Sequence, residues 1–211
     1  MKTIGVISVR TGDKGQLYNC AHEMLRYCES VHILDPYGLH FKDDRFFDSF
    51  EIGIQMYWGI SIKNLLDDRH ADWIMTAYDD EIPSSRMHYM FNSLILNDYV
   101  NTWTSRLKFM WDEQTYRIDK LWNTFSAPTL WRWVPEIEYK WNDDLIPKNE
   151  PGPVEDSSVP LLSYRYASDS DRVKAYMDFV KHESEYNEIT HMHFKSLIDD
   201  KDIKLERLID E

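Results

Sequence analysis

The stretch Trp73-Ile74-Met75-Thr76-Ala77-Tyr78-Asp79-Asp80-Glu81 decides how the rest of the chain is read. Its apolar part is short and β-prone, which fits a buried strand better than a helix, and it runs without a spacer into three carboxylates. Upstream, Thr3-Ile4-Gly5-Val6-Ile7-Ser8-Val9 and Val31-His32-Ile33-Leu34 have the same character, the second ending at Asp35-Pro36-Tyr37-Gly38. Between these two, Leu17, Cys20, Ala21, Met24, Leu25 and Cys28 recur at three- and four-residue spacing, one face of a helix that absorbs both cysteines. The spacing of Phe47, Phe50, Ile54, Tyr57, Ser61 and Leu65 predicts a second helix over Phe46 to Leu66. Strand, helix, strand, helix, strand implies right-handed crossovers and a Rossmann-like α/β fold: a mostly parallel sheet with helices on both faces. In such sheets ligands bind at the carboxyl ends of the strands, where Asp79-Asp80-Glu81 falls.

Downstream, Pro83 to Asn97 reads as a helix capped by Ser84 or Ser85. Residues 99 to 141 hold six of the eight tryptophans and read as irregular antiparallel strands and loops. Asn142 to Pro160 is a long polar connection. Asp169 to Asn187 is expected to be a helix with Val173, Met177, Val180 and Ser184 on one face, and Thr190 to Phe194 a strand with His191 and His193 on one side. The expected organisation is a single domain, 1–211: a strand-helix half (1–98), an aromatic-rich half (99–198) and a solvated charged tail (199–211).

Composition removes several function classes. With 37 acidic residues against 24 Lys plus Arg, the net charge of -13 argues against binding that rests on neutralising nucleic-acid phosphates. No apolar run approaches the roughly 18–20 residues that span a bilayer, and the N-terminus is too soon interrupted for a signal peptide, so a cytoplasmic protein is expected. Two cysteines supply neither a four-cysteine zinc site nor a disulfide framework. Neither a GxGxxG nor a GxxxxGK[ST] motif is present, so nucleotide phosphates would need another device. Three carboxylates at a strand end are one. Hard oxygen ligands suit Mn2+ or Mg2+, which recruit substrate phosphates to complete their coordination.

Asp72-Trp73-Ile74 leading to Asp80-Glu81-Ile82 resembles the metal-motif segment of family 2 glycosyltransferases with the GT-A fold. Further stretches resemble the same family in the same order: Trp111-Asp112-Glu113, Tyr116-Arg117-Ile118-Asp119-Lys120-Leu121-Trp122, Pro128-Thr129-Leu130-Trp131-Arg132, and Leu162-Ser163-Tyr164-Arg165-Tyr166 with Asp171-Arg172-Val173-Lys174-Ala175-Tyr176. Together they span roughly residues 1 to 195. The resemblance implies a GT-A-like fold and transfer of a sugar from a nucleoside diphosphate donor, a UDP-sugar first, to a hydroxyl acceptor, with Mn2+ or Mg2+ as cofactor. It also implies Asp80, with Glu81, as metal ligands. Two positions depart from the pattern: Tyr78 stands for the first metal-motif aspartate and Ser163 for a C-terminal histidine. Asp79 can compensate for the first, and His191 or His193 for the second, although both histidines read more readily as surface or packing residues.

The resemblance further implies a nucleotide-sugar-binding half over 1–98 and an acceptor half over 99–198, with Asp35 as the nucleotide-binding aspartate after the second strand, although Pro36-Tyr37-Gly38 replaces the family's usual Gly-Ser-Thr run. Arg10, at the end of the first strand, is expected to line the nucleotide cleft, and Arg117 and Arg132 are candidate diphosphate contacts because guanidinium matches phosphate geometry. Asp119 and Asp112 are candidate bases for the acceptor hydroxyl; Asp119 is equally placed to pair with Arg117 or Arg132. Two other functions fit the same residues. One is transfer to a modified base in phage DNA, against which the charge counts, and the other is a non-catalytic sugar- or partner-binding module.

Overall fold

The computed structural model describes residues 1–35, 53–58, 66, 70–119, 122–134, 152–182, 186–199 and 203–208. Four parallel strands form its first half: β1 (Thr3–Ser8), β2 (Ser30–Asp35), β3 (Ile54–Trp58) and β4 (Trp73–Tyr78), in the order β3-β2-β1-β4. Helix α1 (Lys14–Leu25) makes the first crossover, and its N-terminus is capped by Asp13, whose side chain accepts from the Gln16 amide. As its spacing predicts, α1 buries Leu17, Cys20, Ala21 and Met24. Every residue of β1 is buried, as expected of a parallel strand covered on both faces. Ile7 joins α1 on one face together with Trp73 and Met75, while Ile4, Val6 and Ile74 pack with Leu66, Ala71 and Trp131 on the other.

The sheet continues past β4 with antiparallel β8 (Ser126–Arg132) and then β6 (Thr102–Phe109), so residues on both sides of position 98 share one sheet. Beyond β6 lie β10 (Leu161–Ser163), parallel to β6, and β5 (Glu81–Pro83), antiparallel to β10, with β9 (Val154–Asp156) also pairing with β6. Helix α2 (Met87–Ile95) packs Met87, Phe91, Leu94 and Ile95 beside α1. At the C-terminal end, α3 (Asp169–Lys181) and α4 (Glu188–Lys195) meet through stacked Phe179 and Phe194, 4.8 Å between ring centroids.

Five expectations need correction. Ile54–Trp58 is a strand rather than helix, because Gly53 (φ +111°) turns the chain onto β2 and the aromatic, β-prone residues that follow pair there; the rest of the predicted helix, apart from Leu66, lies outside the described residues. The helix sought from Pro83 begins at Met87, since Pro83 ends β5, and its N-cap, Arg86, makes no side-chain capping bond. The α3 stripe Val173, Met177 and Val180 is 53, 54 and 42% exposed: the helix instead buries Arg172 and Phe179, the first donating to the Trp111 and Tyr166 carbonyls. Thr190 to Phe194 lies within α4, started by Asn187, whose side chain accepts from the Thr190 amide. The tail is not merely solvated, because β11 (Leu205–Arg207) pairs with β7 (Thr115–Arg117). Much of the predicted 142–160 connection, with Trp141 and Pro36-Tyr37-Gly38, lies outside the described residues.

Candidate active site

Parallel pairing of Ser8 with Tyr78 brings the carboxyl ends of β1 and β4 to the same edge, and the Asp79 amide donates to the Ser8 carbonyl at 3.1 Å. The chain leaving β1, Arg10-Thr11-Gly12, therefore lies beside Asp79-Asp80-Glu81. A third segment arrives by antiparallel pairing: Ser163 of β10 stands opposite Glu81, and the Tyr164 amide donates to the Asp80 carbonyl at 2.8 Å. Three segments far apart in sequence thus meet at one sheet edge, beside a cavity of about 160 Å3 lined by Arg10, Thr11, Arg165, Asp171, Lys174, Ala175 and Asp178.

The three carboxylates have separate tasks. Asp79, fully buried, accepts from the Arg10 and Thr11 amides, the Thr11 hydroxyl (2.7 Å) and the Gly12 amide (2.9 Å). It closes the β1–α1 loop, and Gly12 at φ +72° supplies the left-handed turn that aims its amide inward. Asp80, also fully buried, accepts from Nε of Arg10 at 2.7 Å through Oδ1. Glu81 accepts from Nη2 of Arg10 at 3.0 Å and from the Tyr78 amide at 3.1 Å. The guanidinium also lies 3.9 Å from the centroid of the Tyr78 ring. Burial works against the charge on Arg10, but Asp80 and Glu81 outweigh it and hold the guanidinium more firmly protonated than an ordinary arginine. Burial lifts the Asp80 carboxyl to about 6 against the pull of Arg10, with Glu81 and Asp79 adding to the rise.

Where the resemblance implies Mn2+ or Mg2+, the strand-end carboxylates hold the guanidinium of Arg10. Both Asp79 oxygens, Oδ1 of Asp80 and both Glu81 oxygens already accept hydrogen bonds. Oδ2 of Asp80 and Oγ of Ser163 are sealed from solvent without a partner among the described residues. No group of three or more His, Cys, Asp or Glu side chains gathers to hold a metal among the described residues. His191 and His193 are two apart on a helix and so diverge: His191 meets the edge of Phe179, while His193 stacks on Trp122 with centroids 4.1 Å apart.

The remaining sequence candidates occupy other places. Asp35 ends β2, buried, one strand over from Arg10 on the same edge. Arg117 is buried between Trp111 and Trp122, forms two bonds to Asp119 at 2.7 and 2.9 Å, and donates to the Ser196 carbonyl. Arg132 pairs in register with Trp73, the first residue of β4, and so lies at the opposite edge of the sheet; it donates to the Asn97 carbonyl. Asp112 builds the turn into β7, accepting from the Gln114 and Thr115 amides and the Thr115 hydroxyl, and these bonds hold its carboxyl below the usual range. Sequence reasoning missed Thr11 and Gly12 as the cradle of Asp79, and Arg165 and Lys174 as cavity-lining cations. The last two fall inside quoted motif stretches, and unclaimed cations in those stretches were the available signal.

No family model matches the chain, and no curated protein sequence matches it. Solved structures with a similar arrangement include residues 1–349 of S. aureus TarS, 9% identical over 94% of this chain and 69% of that one, with a TM-score of 0.48. The same TarS segment in complex with UDP-GlcNAc is 10% identical over 63% of this chain and 45% of that one, with a TM-score of 0.44. The inositol-1-phosphate CTP transferase from T. maritima is 10% identical over 93% of this chain and 96% of that one, with a TM-score of 0.46. The strand order itself, a parallel β3-β2-β1-β4 half continued by antiparallel β8 and β6, is that of a Rossmann-like mixed α/β sheet. Among the described residues no helix is long and apolar enough to cross a membrane.

Proposed function

We propose that this chain is a glycosyltransferase that moves a sugar from a nucleoside diphosphate donor, a UDP-sugar first, to a hydroxyl acceptor. The observation that supports it is the meeting of Arg10, Asp79-Asp80-Glu81 and Ser163-Tyr164-Arg165 at the carboxyl edge of the sheet, beside an open cavity. In α/β sheets this edge is where nucleotides bind. In this reading Asp35, on the neighbouring strand end, meets the nucleoside, residues 1–98 supply most of the donor half, and residues 99–198 supply the acceptor side together with the cavity-lining Arg165 and Lys174.

In this reading Asp79 keeps the Arg10-Thr11-Gly12 loop closed, and Asp80 with Glu81 holds Arg10 at the site by a paired, buried contact. The Arg10 charge then meets the leaving diphosphate without a reorganisation cost. Asp112 and Asp119 are both occupied in their own turns, and neither is assigned the acceptor proton. The charge of -13 favours a glycan or small-molecule hydroxyl over a DNA base.

A panel of nucleotide sugars assayed for hydrolysis and transfer tests the proposal. Slow release of the nucleoside diphosphate from one donor is the expected result. Binding of a donor without turnover, over a panel of acceptors, would favour the non-catalytic binding module.

A further inference from the structure

Each acid at the cavity other than those holding Arg10 is occupied: Asp171 by the Ser168 hydroxyl at 2.5 Å and Asp178 by Nζ of Lys181 at 2.8 Å. Two of the three cations are not. Arg165 and Lys174 are exposed, and neither has a carboxylate within ion-pair distance among the described residues. Arg10 uses Nε and Nη2 on its carboxylates, and its Nη1 has no partner among the described residues, while 23% of the side chain remains exposed. A guanidinium carries five N–H donors in a fixed plane, so Arg10 can be held by two carboxylates and still offer donors to a ligand. Thr11, whose hydroxyl serves Asp79, completes that wall. The cavity, about 160 Å3, is smaller than the roughly 300–1,000 Å3 that encloses a whole ligand of drug size, so it suits one charged end of a longer molecule.

We propose that Arg10, Arg165 and Lys174 bind the diphosphate of the donor directly, so that the site works without a divalent cation. The inference rests on the nucleotide-sugar reading above and specifies its charge chemistry: the strand-end carboxylates, which would be metal ligands, instead hold a permanent guanidinium. Arg10 comes from the end of β1, Arg165 from the segment after β10 and Lys174 from the first half of α3. The three charges converge only in the folded chain, and all lie on the surface of one cavity. A diphosphate bridging them gains charge-assisted hydrogen bonds from donors already in place.

Calorimetry with UDP as the probe, in EDTA and then in excess Mn2+, tests this on the full chain. Binding in EDTA with an affinity within about threefold of that in Mn2+ is expected, together with competition by inorganic pyrophosphate. The double variant Arg165→Ala/Lys174→Ala, at two exposed positions, should weaken UDP in EDTA at least tenfold. Val173→Ser, on the same helix but outside the cavity, should leave it unchanged. Binding seen only with Mn2+ would overturn the inference while leaving the nucleotide-sugar reading in place. No UDP binding under either condition would overturn both. Undiminished binding by the double variant in EDTA would put the anion elsewhere and overturn the site.

Discussion

Nε of Arg10 lies 2.7 Å from Oδ1 of Asp80, a contact that ties the end of β1 to the end of β4. Its energetic weight comes from burial: Asp80 and Glu81 are 0 and 4% exposed, so removing the guanidinium strands two carboxylates in a low-dielectric edge. Arg10→Ala should cost about 3 kcal/mol of stability, and Arg10→Lys less, because an ammonium keeps the charge but loses the planar fork. Urea denaturation of the two variants checks both the size and the order.

Asp79 organises the loop rather than the ligand. Asp79→Ala leaves the Thr11 hydroxyl and the Arg10, Thr11 and Gly12 amides without their acceptor, and a loss of about 2–3 kcal/mol is expected. Asp79→Asn, which keeps one acceptor oxygen, should lose roughly half of that. Equal losses in the two variants would contradict this account.

The two base candidates are separable by mutation. Asp112→Ala removes an exposed turn and should cost about 1 kcal/mol with turnover retained. Asp119→Asn weakens the partner of Arg117, which is 2% exposed, and should cost about 2–3 kcal/mol. A fully folded Asp119→Asn protein with no turnover would instead make Asp119 the base.

His193 gives the fold an acid sensitivity of known sign. Burial first, then the charges of Arg117 and Arg165, lower its pKa from 6.5 to about 4. Above pH 6.5 both folded and unfolded chains hold it neutral, and its full contribution is present. As pH falls from about 6.5 toward 4, the unfolded chain takes up the proton first and stability drops, by about 3 kcal/mol at most. His193→Phe keeps the stacking on Trp122 and removes the proton site, so wild type should lose stability relative to the variant as pH falls through that window. A difference independent of pH would refute the assignment.

Gly5 is a close approach of β1 to its neighbours. A Cβ there would stand 3.0 Å from Cγ2 of Val31, 3.1 Å from Cε of Met24 and 3.3 Å from Sγ of Cys28. Gly5→Ala should cost about 1–2 kcal/mol, limited by the flexible Met24 side chain, and the shift of the thermal midpoint measures it.

The sequence by itself determined the elements whose pattern is local. The runs Thr3 to Val9, Val31 to Leu34 and Trp73 to Tyr78, the apolar face of α1 and the strand-end position of Asp79-Asp80-Glu81 are all legible from the apolar pattern alone, and the structure has strands at Thr3–Ser8, Ser30–Asp35 and Trp73–Tyr78. Where two periods fit the same residues, as at Ile54–Trp58, strand pairing with β2 settled the matter, and at Thr190–Phe194 a cap and packing against α3 did. The site divides in the same way. Its carboxylates are visible in one run of sequence, but their counter-ion is not, because Arg10 lies 70 positions away and reaches Asp80 only through the parallel register of β1 with β4. Arg165 and Lys174 join the same cavity through the pairing of β10 with β5 and the placement of α3. A carboxylate cluster has the same sequence whether a metal or a guanidinium neutralises it, and only long-range register decides which cation is within hydrogen-bonding distance.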